Sequence, residues 1–191
     1  MDLGVIVEGQ FDRSSHVELI RRIHSNISSV QIRDCGGKSR LKTTFVNYLR
    51  EFQRNPAWSI DAAVVIRDSD CRAPNGIEQQ LNGVLASSGF QPSFRVEFFA
   101  IPCMLESWLL SDVAAIAQVA RARGATPGTA MPTIANAYNP GDKETFRNVL
   151  SHVGLLSTPA VYGEIARLAD FPRISARCPY FSDFCNRIGA L

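Results

Sequence analysis

No apolar run in this 191-residue chain approaches the ~20 residues that a membrane-spanning helix needs, because charges interrupt every hydrophobic stretch. No basic leader precedes the short apolar run of MDLGVIVEGQ, so a secretory signal is not expected. Cysteine is sparse and odd in number. Cys35, Cys71, Cys103, Cys178 and Cys185 contain no CxxC, which argues against a disulfide framework and a zinc knuckle and favours a reducing cytoplasm. His16, His24 and His152 lack metal-ligand spacing and read as satisfied surface or core residues. Ser107 has no G-x-S-x-G context, which removes a serine hydrolase. Net charge is nearly absent at +2, with 12 basic and 11 acidic residues in 1–102 and 8 and 7 in the rest. Any site for a polyanion must therefore be a local patch. Internal repeats and low-complexity segments are also missing.

What is present begins with IDAAVVIRDSDC, residues 60–71. Its β-branched run, bounded by polar residues, predicts the central strand of a parallel sheet, buried on both faces. Asp68 and Asp70 then stand at its carboxyl end. In extended backbone, residues i and i+2 share a side, so both carboxylates are expected to reach one cation at the edge where open α/β sheets bind ligands. Residues 3–7, LGVIV, form a second short strand that ends in Glu8-Gly9, where Gly9 permits a sharp bend or a close approach to a ligand. Ser15-His16-Val17-Glu18 matches a capping box ahead of a helix carrying Val17, Ile20, Ile23 and Ile27.

Val30–Arg33 predicts another strand, followed by Gly36-Gly37-Lys38-Ser39-Arg40. Glycines followed by cations offer backbone N–H groups, Lys38 and Arg40 to a phosphate, although the spacing is not that of a Walker A loop. The same residues also read as a glycine turn before a helix with a solvated basic first turn. Leu41, Phe45, Leu49 and Phe52 continue at helical spacing up to Asn55-Pro56, and Ile77, Leu81, Val84 and Leu85 mark a further helix that Gly89 stops. Phe94, Val96, Phe98 and Ala100 alternate with polar neighbours as a fourth strand closed by Pro102. Residues 1–102 thus read as a β-α-β-α-β-α-β domain: a mostly parallel four-stranded sheet flanked by helices.

Residues 103–191 predict a helical extension packed on that domain. Leu105, Trp108 and Leu109 share a helical face, and Ser111 or Asp112 caps a following helix that stops at Gly124. The loop ATPGTAMPT is expected to be mobile, and helices follow over Asp142–Val153, over Ala160–Ala169 and in the tail with Phe181, Phe184 and Ile188. Trp108 reads as core and not as a base-stacking platform.

If the strands at 3–7 and 60–67 are neighbours, Glu8, Asp68 and Asp70 converge on one edge. Clustered carboxylates suit a hard divalent cation such as Mg²⁺ or Mn²⁺, and without one at least one of their pKa values must rise. Each acid alone also reads as a turn or cap residue. In this order and strand context, Val7-Glu8-Gly9 and Ile66-Arg67-Asp68-Ser69-Asp70 resemble the two signature motifs of the Toprim domain. That domain is shared by topoisomerases, bacterial primases, recombination proteins and overcoming-lysogenization-defect nucleases. Ile101-Pro102, Glu106–Asp112 and Pro140-Gly141-Asp142-Lys143 resemble, more narrowly, small bacterial Toprim-like proteins.

The resemblance implies a Toprim/Rossmann-like fold, Glu8 as general acid or base and metal-site member, and Asp68 and Asp70 as magnesium holders. It also implies a phosphodiester-processing enzyme such as a nuclease, in anti-phage defence. Nucleic acid is the implied partner, with an ATPase subunit or a second copy of the chain as further candidates. Gly9, Lys38 and Arg40 are candidate phosphate contacts from the glycine turns and not from the resemblance.

The chain also departs from the Toprim pattern. Cys71, Arg72 and Ala73 provide no acid after the aspartate pair, which leaves Glu106 as the best substitute. Topoisomerase strand passage is not expected in this length, and no tyrosine lies in a matching motif. The competing reading is a non-catalytic Toprim-like subunit that binds a nucleotide or a protein. An aspartyl-phosphate phosphatase is disfavoured because Arg72 stands where its threonine belongs.

Overall fold

A computed structural model describes residues 1–125 and 142–191. Most of the loop expected to be mobile, together with Tyr138, Pro140 and Gly141, lies outside the described residues.

The described chain runs β1 (Asp2–Val7), α1 (Gln10–Ile23), β2 (Ser29–Asp34), α2 (Lys38–Arg54), β3 (Ile60–Asp68), α3 (Pro74–Ser87) and β4 (Arg95–Ile101). There follow α4 (Leu105–Leu110), α5 (Val113–Ala122), α6 (Asp142–His152), α7 (Pro159–Leu168), α8 (Phe171–Arg177) and α9 (Pro179–Gly189). The four strands form one sheet in the order β2-β1-β3-β4, and every neighbouring pair is parallel. The expected α/β architecture is the observed one. Its two central strands, β1 and β3, carry the two acidic motifs and lie side by side, with Ile6 opposite Val65.

The sheet is buried on both faces, which is why β3 is an unbroken apolar run. Alternation sends Ala62, Val64 and Ile66 to one face and Ala63 and Val65 to the other. The second face is covered by α2 and α3 through Leu41, Phe45, Leu49, Phe52, Ile77 and Leu81. Gly4 is required there, since a Cβ at this position would lie 2.7 Å from the Phe52 ring. The first face carries a thicker layer. Trp108, Phe146, Tyr162, Phe181, Phe184 and Ile188 from α4, α6, α7 and α9 join β1, β3 and α1 residues in one core. The helices after residue 102 thus share a core with the sheet. Arg187 of α9 closes the far edge, donating from Nη1 to Glu78 at 3.0 Å and from Nε to Glu97 at 2.8 Å.

Two local expectations change. The helix after β1 begins at Gln10 and not near Ser15. Gly9 is its N-cap, and the Asp12 carboxylate reaches back to accept the Gly9 N–H at 3.0 Å. Ser15 is instead a buried mid-helix residue whose hydroxyl donates to the Phe11 carbonyl. An additional short helix, α8, fills the segment before the tail, started by the Asp170 cap and a proline in its first turn.

Phe184 of α9 packs against Phe99 of β4 and Trp108 of α4, with ring centroids 5.0 Å apart in both pairs. Phe184→Ala should therefore destabilise the whole chain by about 3–5 kcal/mol. Urea unfolding followed by circular dichroism and by tryptophan fluorescence should show one shifted transition; two separated transitions would show that the C-terminal helices fold apart from the sheet.

Candidate active site

The carboxyl edge of the sheet is built by three chain reversals. β1 stops at Val7, and Glu8-Gly9 leads directly into α1, whose first turn holds Asp12. β3 stops at Asp68. β4 stops at Ile101, and after Pro102-Cys103-Met104 the chain enters α4 with Glu106 in its first turn. The last two reversals are joined to each other: the Ser69 N–H donates to the Ile101 carbonyl, the Asp70 N–H to the Cys103 carbonyl, and the Cys103 N–H to the Ser69 hydroxyl, all at 2.9–3.0 Å.

Glu8, Gly9, Phe11, Asp12, Gly37, Asp68, Leu105, Glu106 and Lys143 line a cavity of about 200 Å³ at this edge. Four carboxyl groups share it, from the turn after β1, the first turn of α1, the end of β3 and the first turn of α4. Each is held by neighbours: an Asp68 carboxylate oxygen accepts the Leu105 N–H at 3.1 Å, Glu106 accepts the Tyr162 hydroxyl at 3.2 Å, and Lys143 Nζ stands 3.5 Å from Glu106. Glu8 Oε1 is buried without a hydrogen-bond partner, and the Arg67 Nε lies 3.6 Å away.

Crowding shows in the proton affinities. Burial, with Asp12 alongside, pushes the Glu8 carboxyl up to about 7; Arg67, Lys38 and an Asp68 backbone hydrogen bond only partly offset this. Burial and Glu106 raise Asp12 to about 6. Asp68 is raised well above the usual carboxylate range, first by burial and then by Asp12, Glu8 and Glu106. The buried His16 sits behind them as a neutral ring, held down to about 4 by burial, with Nδ1 2.8 Å from the Asp12 carbonyl.

Asp70 does not follow Asp68 into the cavity. The i, i+2 expectation assumes extended backbone, but Asp70 and Cys71 adopt left-handed φ angles of 49° and 59°. The turn sends the Asp70 carboxylate outward to pair with Lys38, leaving its side chain 46% exposed. Of the phosphate candidates, Gly9 lines the cavity, Lys38 stands at its flank paired to Asp70, and Arg40 is exposed on the first turn of α2. Glu106 is buried at 4% exposure and is not the solvated first-turn glutamate that its position also allows.

The donor set suits a hard divalent ion: it is all oxygen, crowded, and includes the unpartnered Glu8 oxygen. Among the described residues no three acids, histidines or cysteines are gathered as a ready ligand shell.

The family described as a domain of unknown function, DUF4276, matches residues 7–189, which takes in every one of these side chains. The chain belongs to the DUF4276 family. Two solved structures are similar to this DUF4276 member. One is the C-terminal region of the Burkholderia pseudomallei OLD protein, at 15% identity over 96% of this chain and 98% of that one, with a TM-score of 0.49. The other is the C-terminal region of the Xanthomonas campestris pv. campestris OLD protein, at 13% identity over 99% and 98%, with a TM-score of 0.42. No curated protein matches the chain.

Sequence reasoning missed Asp12, Tyr162 and the role of Lys143 in this DUF4276 member. The spacing of Asp12 four residues after Glu8, just past a glycine, was the available signal for the first. Tyr162 and Lys143 reach the cavity from α7 and α6, which no local pattern connects to the sheet edge. The cysteine reading needs correction too. Cys71 and Cys103 are joined by a disulfide, 32 residues apart in sequence but adjacent because β3 and β4 end side by side; Cys35, Cys178 and Cys185 are not in a disulfide. Denatured protein should take up three alkylating groups before reduction and five after it, read by intact mass.

The raised carboxyl groups also set a pH dependence. Folded, Glu8 keeps its proton up to about pH 7, whereas its unfolded value is 4.5, so the folded chain holds more protons between these values and stability falls as pH rises through the window. Asp12 acts in the same direction between 3.8 and about 6. His16 acts oppositely, adding stability between about pH 4 and 6.5 as its unfolded form loses a proton. The rise from His16 has half its full slope at pH 6.5 and levels off by about pH 7.5, so it opposes the Glu8 effect more weakly than that effect falls. The urea midpoint of metal-free protein should then fall between pH 6.5 and about 8, and Glu8→Gln should flatten that slope. An unchanged slope in the variant would remove Glu8 as its source.

Proposed function

We propose that the chain is a divalent-metal-dependent phosphodiester hydrolase of Toprim type that acts on nucleic acid in the cytoplasm. The observation that carries this reading is the gathering of Glu8, Asp12, Asp68 and Glu106 from four elements around one cavity at the carboxyl edge of a parallel sheet. The order of the Glu8 and Asp68 motifs, which resembles Toprim, supports it.

Asp68, Glu106 and Asp12, with Glu8 at the rim, are the residues that would hold Mg²⁺ or Mn²⁺. A bound ion of this kind supplies Lewis-acid stabilisation of charge developing on a phosphodiester. The protein groups do the rest. The Leu105 N–H fixes the Asp68 carboxylate, and the Tyr162 hydroxyl and Lys143 fix Glu106. Glu8, with a proton affinity near neutrality and a free oxygen, takes the proton of a water that attacks phosphorus. The new P–O bond forms to that water, the bond to the leaving sugar oxygen breaks, and that oxygen gains a proton from solvent.

One observation favours a second reading. The outward turn of Asp70 removes one expected acid from the cavity, as suits a Toprim-like subunit that binds a nucleotide or a protein without cleaving it. The same assay separates the two readings. Purified protein with Mg²⁺ or Mn²⁺ should cleave DNA or RNA, and Glu8→Gln and Asp68→Asn should each lower the rate by about 10²–10⁴-fold while circular dichroism stays unchanged. Absence of divalent-ion binding by calorimetry, with and without oligonucleotide, would overturn the hydrolase reading.

A further inference from the structure

Beyond partly offsetting the raised proton affinity of Glu8, Arg67 has no use in the cavity just described, and its surroundings are unusual for a cation. It lies near the end of β3, opposite Ala100 of β4. Ile6 pairs with Val65, so Glu8 and Arg67 each stand two residues further along neighbouring strands, on the face that α2 covers. The residue is only 6% exposed, and its Nε and Nη1 make no hydrogen bond. A buried guanidinium with open donors is costly, on the order of 1–3 kcal/mol per unmet donor. The nearest acid oxygen, Glu8 Oε1, is 3.6 Å from Nε, too far for a hydrogen bond, and is itself unpartnered. The two groups face each other without closing.

The start of α2 borders the same place. Gly37, its N-cap, donates its N–H to the Glu8 carbonyl at 2.7 Å. Gly36 and Gly37 have φ values of 70° and 128°, and a Cβ on Gly37 would meet nothing within 4 Å, so open space lies before the helix. This 17-residue helix has no side-chain cap and no acid in its first turn; it begins with Lys38 and carries Arg40 two residues later. Cations at a helix N-terminus oppose the macrodipole, and an anion placed there reverses the sign of that interaction. Lys38 is close enough to Arg67 and Arg72 for their like charges, after burial, to lower its proton affinity. Asp70 is the acid that pairs with this cluster from outside.

We propose that Arg67, Lys38 and the first N–H groups of α2 form an oxyanion subsite, bordering the four-acid cavity at Glu8 and Gly37, that binds a phosphate group of a polynucleotide backbone. Planar, always charged and carrying open donors, Arg67 is suited to two oxygens of one phosphate. The proposal rests on the reading of the neighbouring cavity as a phosphodiester site and adds the groups that position the chain next to the scissile bond. Asp70 then acts as the placeholder that holds Lys38 until phosphate arrives.

The test is equilibrium binding in EDTA, with the full chain, of inorganic phosphate and of a 5′-phosphorylated thymidine dinucleotide, followed by ³¹P NMR line width. Wild type should bind both, the dinucleotide more tightly. Arg67→Met should weaken both by about 10-fold or more, and Lys38→Gln should weaken them several-fold. Arg54→Gln, which removes a charge at the other end of α2, should leave both unchanged.

No binding of either probe by wild type up to about 50 mM, or unchanged binding in both Arg67→Met and Lys38→Gln, would overturn the subsite. If Arg67→Met does not fold, Lys38→Gln alone decides. Tighter binding of inorganic phosphate than of the dinucleotide would overturn the assignment to a polynucleotide. Binding is read in EDTA and cleavage separately with Mg²⁺ or Mn²⁺: phosphate binding in the first with no cleavage in the second sinks only the hydrolase reading, and cleavage without a phosphate effect of Arg67 sinks only the subsite.

Discussion

Four carboxyl groups in a cavity of about 200 Å³ repel one another, and much of the local structure exists to keep them there. Asp12 is tied to the Gly9 N–H as part of the cap that starts α1, Asp68 to the Leu105 N–H that starts α4, and Glu106 to Tyr162 and Lys143. The Asp68 and Glu106 ties double as structural joints between separate elements. The acids that remain under-compensated answer by binding protons more tightly, and Glu8 is the clearest case. A cation of two charges would relieve the same repulsion, which is why the electrostatics and the proposed chemistry point in one direction.

The two faces of the sheet contribute differently. Alternation along β3 divides Asp68, on the side of the thick helical layer, from Arg67, on the side of α2 and α3. Asp12, Asp68 and Glu106 therefore gather with Lys143 on one side of the strand end, and Arg67 and Lys38 with Asp70 on the other, with Glu8 between them. A backbone phosphate entering from the α2 side would meet Arg67 and Lys38 before the acids. The thick layer is not an accessory to this arrangement, since Glu106, Lys143 and Tyr162 all come from it.

Much of the fold was readable because each strand is a short apolar run ended by a polar or turn residue, and each helix shows its apolar spacing. β1, β2, β3 and β4 fall within about two residues of their expected limits, as is usual for boundaries read from pattern. The start of α1 was misplaced because Ser15–Glu18 imitates a capping box, whereas the real cap uses a glycine and the reach of Asp12. Asp70 was misplaced because a left-handed turn of non-glycine residues has no dependable local signature.

The order of short apolar runs and helical periods by itself determined that β1 and β3 end in acids at one edge of an α/β sheet, because burial on both faces dictates that pattern. Only the tertiary structure decided which acids meet. Asp12 enters the cavity through the helix cap, Asp70 leaves it through a backbone turn, and Cys71 finds Cys103 across adjacent strand ends. Those outcomes depend on side-chain direction and on contacts between segments tens of residues apart. Neither is carried by the spacing of residues along the chain.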